Sequence, residues 1–295
     1  MIARSLVASG QSILHAPVME LRSKGRTLTL LHRTGIVGVM NTTPDSYIPG
    51  SRAETSDAIL TLAEKYIHDG ADILEIGGES TGSASSDVSV GDELARVVPA
   101  VTLLRKKFPD VWISVDTYKA DVAREALAAG ADMINDITAG RGDERMFGVI
   151  ADAGCPVVLM YAKDDSPRTT IQDIRYDDVI KTIKEFLAVR MAAARKFGID
   201  QILLDPGLGH FISSDPAYSW EILMRLSELT SLGPVLVSPS RKSFLAGTSA
   251  LPASERLPAT IAANCIASLN GAALIRTHNV HETRQALDAI ARIVR

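Results

Sequence analysis

The sequence predicts an α/β fold, a single (β/α)8 TIM barrel with an N-terminal hairpin, and three observations carry that reading. Eight short β-rich runs alternate with amphipathic helical stretches along the 295-residue chain, the pattern of repeated strand–helix units in a parallel barrel. The runs are near-continuously apolar, as parallel strands buried on both faces require. The turn after the first run reads MNTTPDS, not the G-x-G-x-x-G that opens a doubly wound dinucleotide-binding sheet.

The elements follow in order. Residues 1–33 hold four Arg, one Lys and one Glu. This mildly basic balance loosely resembles a transit peptide, without the apolar core and cleavage site of a secretory signal. The alternation in VMELRSKGRTLTLLH reads instead as a hairpin turning at Lys24-Gly25 and covering one end of the fold. The barrel is expected over 34–295, with strands IVGVM (36–40), DILEI (72–76), WISVD (112–116), DMIND (132–136), VVLMY (157–161), ILLD (202–205), PVLVS (234–238) and AALIR (272–276). Helical spacing marks 56–71, 92–108 and 177–198, the last with Ile180, Ile183, Phe186 and Leu187 at helical steps and Gly198 as its stop. No linker, low-complexity run or composition break divides the chain.

Apolar residues make up 46% and charged residues 22% of the chain, an ordinary globular balance. A net charge of −4 leaves no basic stripe for nucleic-acid phosphates, so an anionic ligand must be met by a local group of cations. Cys155 and Cys265 lie far apart, without metal-ligand spacing, and read as small buried thiols suited to a reducing compartment. No apolar run reaches the roughly 18 residues of a membrane span. A cytoplasmic protein with small-molecule substrates, and with neither a nucleic-acid nor a membrane partner, is the expectation.

In a barrel all strand C-termini meet at one mouth, so the polar residues at those ends converge although they are far apart in sequence. They are Asn41, Gly77-Gly78-Glu79, Asp116, Asn135-Asp136, Tyr161, Asp205, Ser240-Arg241-Lys242, Arg276 and His278. One polar strand end is ordinarily a cap or a turn former; that explains Asp136 taken singly but strains to explain the set. Buried Asp and Asn in pairs match a fixed donor–acceptor pattern such as the edge of a planar heterocycle. Arg241, Lys242, Arg276 and His278 after the last two strands suit phosphate or another anion. A phosphorylated heterocycle, ring deep and phosphates at the rim, fits both halves. Three other motifs fail: GESTG (78–82) runs into a Gly/Ser/Ala-rich loop and not a helix, GGESTGS lacks the phosphate-loop Lys, and GLGHF lacks the third Gly of a dinucleotide fingerprint. No HExxH or CxxC occurs, which argues against a protein-caged transition metal.

The ordered fragments NTTPDSY (41–47), DILEIGGEST (72–81), ISVDTYKADVA (113–123), MINDI (133–137), DPGLG (205–209), SRKSFLAG (240–247) and RTH (276–278) together resemble the dihydropteroate synthase family over roughly residues 35–292. That resemblance implies a (β/α)8 enzyme of folate synthesis, commonly a homodimer. It would join 6-hydroxymethyl-7,8-dihydropterin pyrophosphate to p-aminobenzoate with release of pyrophosphate. It implies that Asp116, Asn135, Asp205 and Lys242 bind the pterin. Asn41, Arg276 and His278 would hold the pyrophosphate, with Mg²⁺ bridging Asn41 and phosphate oxygens. Thr81, Arg241 and Ser243 would lie near the aminobenzoate. Lys242, Arg276, His278 and Asp116 are the implied catalytic set.

The chain departs from the family pattern on the aminobenzoate side. Pro49 stands where a second Asp is usual, STGSASS (80–86) lacks an Arg-Pro pair, MYAKDDS (160–166) replaces M-H-M-R-G, and His210-Phe211-Ile212 replaces Phe-Gly-Lys. His210 and Phe211 are expected to take the place of one Phe stacked on the aminobenzoate ring. Three readings stay open: a synthase with a reshaped amine pocket and reduced sulfonamide sensitivity, a related transferase using another amine or pterin, and a non-catalytic pterin-binding protein.

Overall fold

The computed structural model describes residues 18–42, 55–80 and 85–292; Pro49 and Thr81 lie outside them. A two-stranded antiparallel hairpin, β1 (Met19–Ser23) and β2 (Arg26–Leu30), comes first. It turns at Lys24 (φ 50°) and Gly25 (φ 78°), the paired left-handed geometry that suits a two-residue hairpin loop. Eight parallel strands follow: β3 (Gly35–Asn41), β4 (Ile73–Gly77), β5 (Trp112–Asp116), β6 (Met133–Asp136), β7 (Val157–Met160), β8 (Ile202–Asp205), β9 (Leu236–Val237) and β10 (Leu274–Thr277). They pair in the order β8-β7-β6-β5-β4-β3-β10-β9, and a parallel bridge from Leu204 to Val235 joins the two ends, closing the barrel.

Helices α1 (Ser56–His68), α2 (Val90–Lys107), α3 (Ala120–Ala129), α4 (Met146–Ala153), α5 (Val179–Arg195), α6 (Pro216–Met224), α7 (Leu257–Leu269) and α8 (Val280–Ile290) pack outside it. Side-chain oxygens of Thr55, Ser89, Asp178 and Asp215 cap α1, α2, α5 and α6 at their N-termini. Helix α1 stops at His68, short of the expected 71, because Gly70 turns the chain at φ 94°. Among the described residues no helix is long and apolar enough to cross a membrane.

The barrel interior is layered by strand parity. One buried residue from each strand (Val37, Ile73, Trp112, Met133, Val158, Leu203, Leu236, Leu274) joins Met19, Leu21 and Leu30 of the hairpin in one apolar cluster. The hairpin therefore plugs the N-terminal end, and only the C-terminal end is left to hold a ligand. Side chains alternate along a strand, so the next inward positions lie two residues on: Val39, Glu75, Ser114, Asn135, Met160, Asp205, Ser238 and Arg276. An apolar floor thus carries a mostly polar second layer.

A buried carboxylate fixes the plug. Asp132, fully inaccessible, takes Arg26 Nε of the hairpin at 2.7 Å, Arg105 of α2, and the backbone N–H of Ile113 at 2.9 Å. Lys24 adds a donor to the carbonyl of Ala131 at 2.9 Å. Asp132→Ala leaves Arg26 and Arg105 unmatched in partly buried positions. It is expected to lower unfolding stability by about 3 kcal/mol, measured by urea denaturation, while the transition stays cooperative.

Candidate active site

The second layer is organised around Glu75, which is fully buried in β4. Its carboxylate is ion-paired with Arg276 Nε from β10 and accepts from Ser114 Oγ at 2.9 Å and Asn135 Nδ2 at 3.3 Å. The Arg276 guanidinium reaches on through Nη2 to Asp116 Oδ2 at 2.7 Å. Four strand ends (β4, β5, β6 and β10) are thus joined by one polar network. Glu75 was not singled out in the sequence because it sits in an otherwise apolar run. The available signal was parity: Glu75 follows the inward Ile73 by two residues.

Above this network a cavity of about 280 Å³ opens at the mouth, the lower end of the range for small-molecule sites. It is lined by Asn41, Asp116, Asn135, Asp205, His210, Phe211, Arg241, Lys242, Ser243, Arg276 and His278 together. Every sequence-predicted site residue that is described therefore meets there; Thr81 is outside the described residues. Glu79, one of the expected polar strand ends, lines it too, as do Ser80, Thr169, Ser238 and Arg256, which the sequence did not single out.

Local geometry explains each placement. Asn135 lies at the end of β6, and its Oδ1 is buried without a hydrogen-bond partner. Such an acceptor is costly unless a ligand donates to it. Asp205 ends β8 and accepts from the Gly207 N–H at 2.7 Å. Gly207 holds φ 68°, and a Cβ there would fall 2.4 Å from the Tyr161 carbonyl oxygen, so only Gly passes the chain across the mouth. Beyond it, Lys242 Nζ stands 5.1 Å from the centroid of the Phe211 ring, a cation–π distance.

Arg241 adopts a left-handed backbone (φ 55°). Its guanidinium is held by Asn279 Oδ1 at 3.1 Å and by the carbonyls of Ala253 and Ser254 at 3.1 and 2.9 Å. Arg256 donates to the Arg241 carbonyl at 3.0 Å. The side chain of Ser240 meets His278 Nδ1 at 3.0 Å and also receives the His278 backbone N–H at 3.4 Å. Two other polar strand ends serve structure: Asp136 accepts from Thr138 and Gly140, and the Tyr161 hydroxyl donates to that of Tyr176.

Burial shifts the titrating groups toward neutrality. It pushes the Asp116 carboxyl up to about 7, with Arg276 pulling the other way and Glu75 adding to the rise. The 19% of its side chain that stays accessible belongs to a residue lining the cavity. Asp205 is raised by burial against the pull of Lys242, and Lys242 is lowered by burial to about 8 against the pull of Asp205. His278 is held down to about 3 by burial and by Arg276 and Arg241. It enters the site as a neutral ring, a change from the cation expected of it in the sequence. His210 is lowered as well, by burial and then by Lys163, Arg256 and Lys242. The site can thus present two raised carboxyls, an open amide oxygen and an ammonium to a polar ring, with Arg276 and a neutral imidazole at its edge.

The sequence profile described as pterin binding enzyme matches residues 37–278. A dihydropteroate synthase of Synechocystis sp. is 37% identical over 257 residues, covering 86% of this chain and 88% of the relative. The Yersinia pestis dihydropteroate synthase, solved with a sulfonamide drug, superposes with a TM-score of 0.85 at 36% identity, covering 93% of this chain and 98% of the other. The Xanthomonas albilineans dihydropteroate synthase, solved with 4-aminobenzoic acid, gives 0.84 at 37% identity, covering 94% and 98%.

The Asp116 shift has a stability consequence. Between the ordinary aspartate value of 3.8 and about 7, the folded protein holds a proton that the unfolded chain has lost. The unfolded state therefore binds fewer protons there, and stability falls as pH rises across that window. Asp116→Asn is expected to flatten this part of the profile, measured by urea denaturation at stepped pH. An unchanged slope in the variant would assign the loss to another group.

Proposed function

This chain belongs to the family of pterin binding enzymes, and from that premise we infer that it carries out the dihydropteroate synthase reaction of folate biosynthesis. It joins 6-hydroxymethyl-7,8-dihydropterin pyrophosphate to p-aminobenzoate, giving 7,8-dihydropteroate and pyrophosphate. The observation that supports this most strongly is the buried Asn135 Oδ1 without a partner, beside the buried carboxyl of Asp205, the Asp116 carboxyl and the ammonium of Lys242. A 2-amino-4-oxopyrimidine edge carries adjacent N–H donors and a carbonyl acceptor. Acceptors at Asn135 and Asp205 with a donor at Lys242 complement that edge.

Displacing pyrophosphate from the exocyclic CH2 needs a stabilised leaving group more than a strong base. The C–O bond breaks with its electron pair going to the pyrophosphate oxygen, and the arylamine nitrogen forms the new C–N bond and gives up a proton. Arg276 and the neutral ring of His278 line the cavity and would meet the charge that develops on the leaving group. In their ionised forms Asp116 and Asp205 favour positive charge on the ring side as the bond loosens. His210, Phe211, Arg241 and Ser243 form the amine side, which supports the further reading that sulfonamides fit this wall less well than in a synthase carrying Phe at position 210.

The residues present suit a Mg²⁺ ion that enters with its substrate. Among the described residues no cluster of His, Cys, Asp or Glu could cage a metal. Asn41 lines the cavity, its Oδ1 3.4 Å from where a Cβ on Gly77 would sit. One neutral protein oxygen plus phosphate oxygens and waters is a donor set Mg²⁺ accepts. When bound there, Mg²⁺ adds positive charge to the pyrophosphate oxygens.

Pyrophosphate release measured with and without p-aminobenzoate tests the reading. Aminobenzoate-dependent release is expected. Release only with another amine would favour the related transferase, and pterin binding without release would favour a binding module. In the same assay Lys242→Ala is expected to cut turnover at least about a hundredfold with far-UV circular dichroism unchanged; Arg276→Ala, which also leaves the buried Glu75 carboxylate without its cation, is expected to lose as much turnover together with unfolding stability, and near-normal rates in either would overturn their roles.

A further inference from the structure

We propose that Arg168 is a positioning residue for the amine substrate, fastening the loop after β4 to the loops after β7 and β8 and so fixing the width of the amine side of the mouth. The proposal rests on the synthase reading for the identity of that amine. Arg168 lies in the connection between β7 and α5. All five of its guanidinium N–H donors are engaged, the most an arginine can offer. Nε meets Asp87 Oδ1 at 2.5 Å; Nη1 meets the Ser80 carbonyl at 2.9 Å and Ser85 Oγ at 2.6 Å; Nη2 meets the Ser86 carbonyl at 2.6 Å and the Glu79 carboxylate.

These partners fall on both sides of residues 81–84, in a stretch of small residues (STGSASS, 80–86) with no large side chain to anchor itself. On its other side the Arg168 loop is stitched to the loop after β8. Thr169 Oγ1 donates to the His210 carbonyl at 2.8 Å, Lys163 N to the Phe211 carbonyl at 2.9 Å, and Tyr176 Oη to the Ile212 carbonyl at 2.8 Å. Glu79, Ser80, His210 and Phe211 all line the cavity. The Arg168 loop therefore joins the two segments that carry them.

Arg168 itself does not line the cavity, and its charge is met by Glu79 and Asp87. Glu79 is only 3% exposed and is held from the opposite side by Lys119 Nζ at 2.5 Å. The anchor is firm, and Arg168 is not available as a cation for the aminobenzoate carboxylate. Its effect on catalysis is geometric, through the walls it joins. Such an effect falls on amine capture and leaves the pterin pocket, built from strand ends deeper in the barrel, as it is.

The test uses the full chain. Aminobenzoate-dependent pyrophosphate release is measured for wild type, Arg168→Ala, Arg168→Lys and Asp87→Ala, with pterin pyrophosphate affinity measured by calorimetry. Arg168→Ala is expected to raise the aminobenzoate KM about tenfold or more and to leave pterin affinity within about twofold. Lys, with three donors for five acceptors, recovers only part of the loss. Asp87→Ala removes one exposed arm and gives a smaller rise in a protein that keeps its core anchor, so the proposal is tested even if Arg168→Ala does not fold. Amide exchange across 79–90 is expected to speed up in Arg168→Ala whichever amine is turned over.

An aminobenzoate KM unchanged in both Arg168→Ala and Asp87→Ala, or an equal loss for both substrates, overturns the proposal. If wild type shows no aminobenzoate-dependent release, the synthase reading falls instead, and unaltered exchange at 79–90 in Arg168→Ala would then overturn the fastening on its own.

Discussion

The ion pair between Glu75 and Arg276 is the contact on which the rest of this molecule depends. A carboxylate with no solvent access in the middle of a barrel is expensive unless it is paired and its remaining lone pairs are filled. Arg276, Ser114 and Asn135 do both. Because these partners come from β10, β5 and β6, satisfying one charge fixes the relative register of strands far apart in sequence. It also aims the remaining polar groups. Asn135 spends its amide N–H on Glu75 and is left with an open oxygen; Arg276 places Nε and Nη2 on the Glu75 and Asp116 carboxylates.

From that pair outward the site is graded. Below it, the hairpin and one apolar residue from each strand exclude water. At its level, burial favours the uncharged form of each titrating group. Asp116 and Asp205 are raised while Lys242 and His278 are lowered. On the synthase reading, residues after β9 and β10 at the rim would meet the anionic part of the substrate, and the loops after β4, β7 and β8 would enclose the amine.

The barrel was legible because its strands are apolar runs of the right length between turn residues, and each expected strand appears within a few residues of its place. The converging strand ends were legible for the same reason: topology alone brings Asn41, Asp116, Asn135, Asp205 and Arg276 to one mouth. Glu75 was hidden inside an apolar run and required the inward parity set by Ile73. Arg168 could not be read at all, since its partners lie 81 to 89 residues away on another loop and no local spacing encodes them. The neutrality of His278 is likewise tertiary, produced by burial and by Arg276 and Arg241.

The most direct test of this account is a crystal structure with 6-hydroxymethyl-7,8-dihydropterin pyrophosphate bound. Density for the ring is expected against Asn135 Oδ1, Asp205 and Lys242, above the Glu75–Arg276 pair, with the pyrophosphate toward Asn41, Arg276 and His278. A ring seated elsewhere, or turned so that Asn135 Oδ1 remains without a donor, would contradict it.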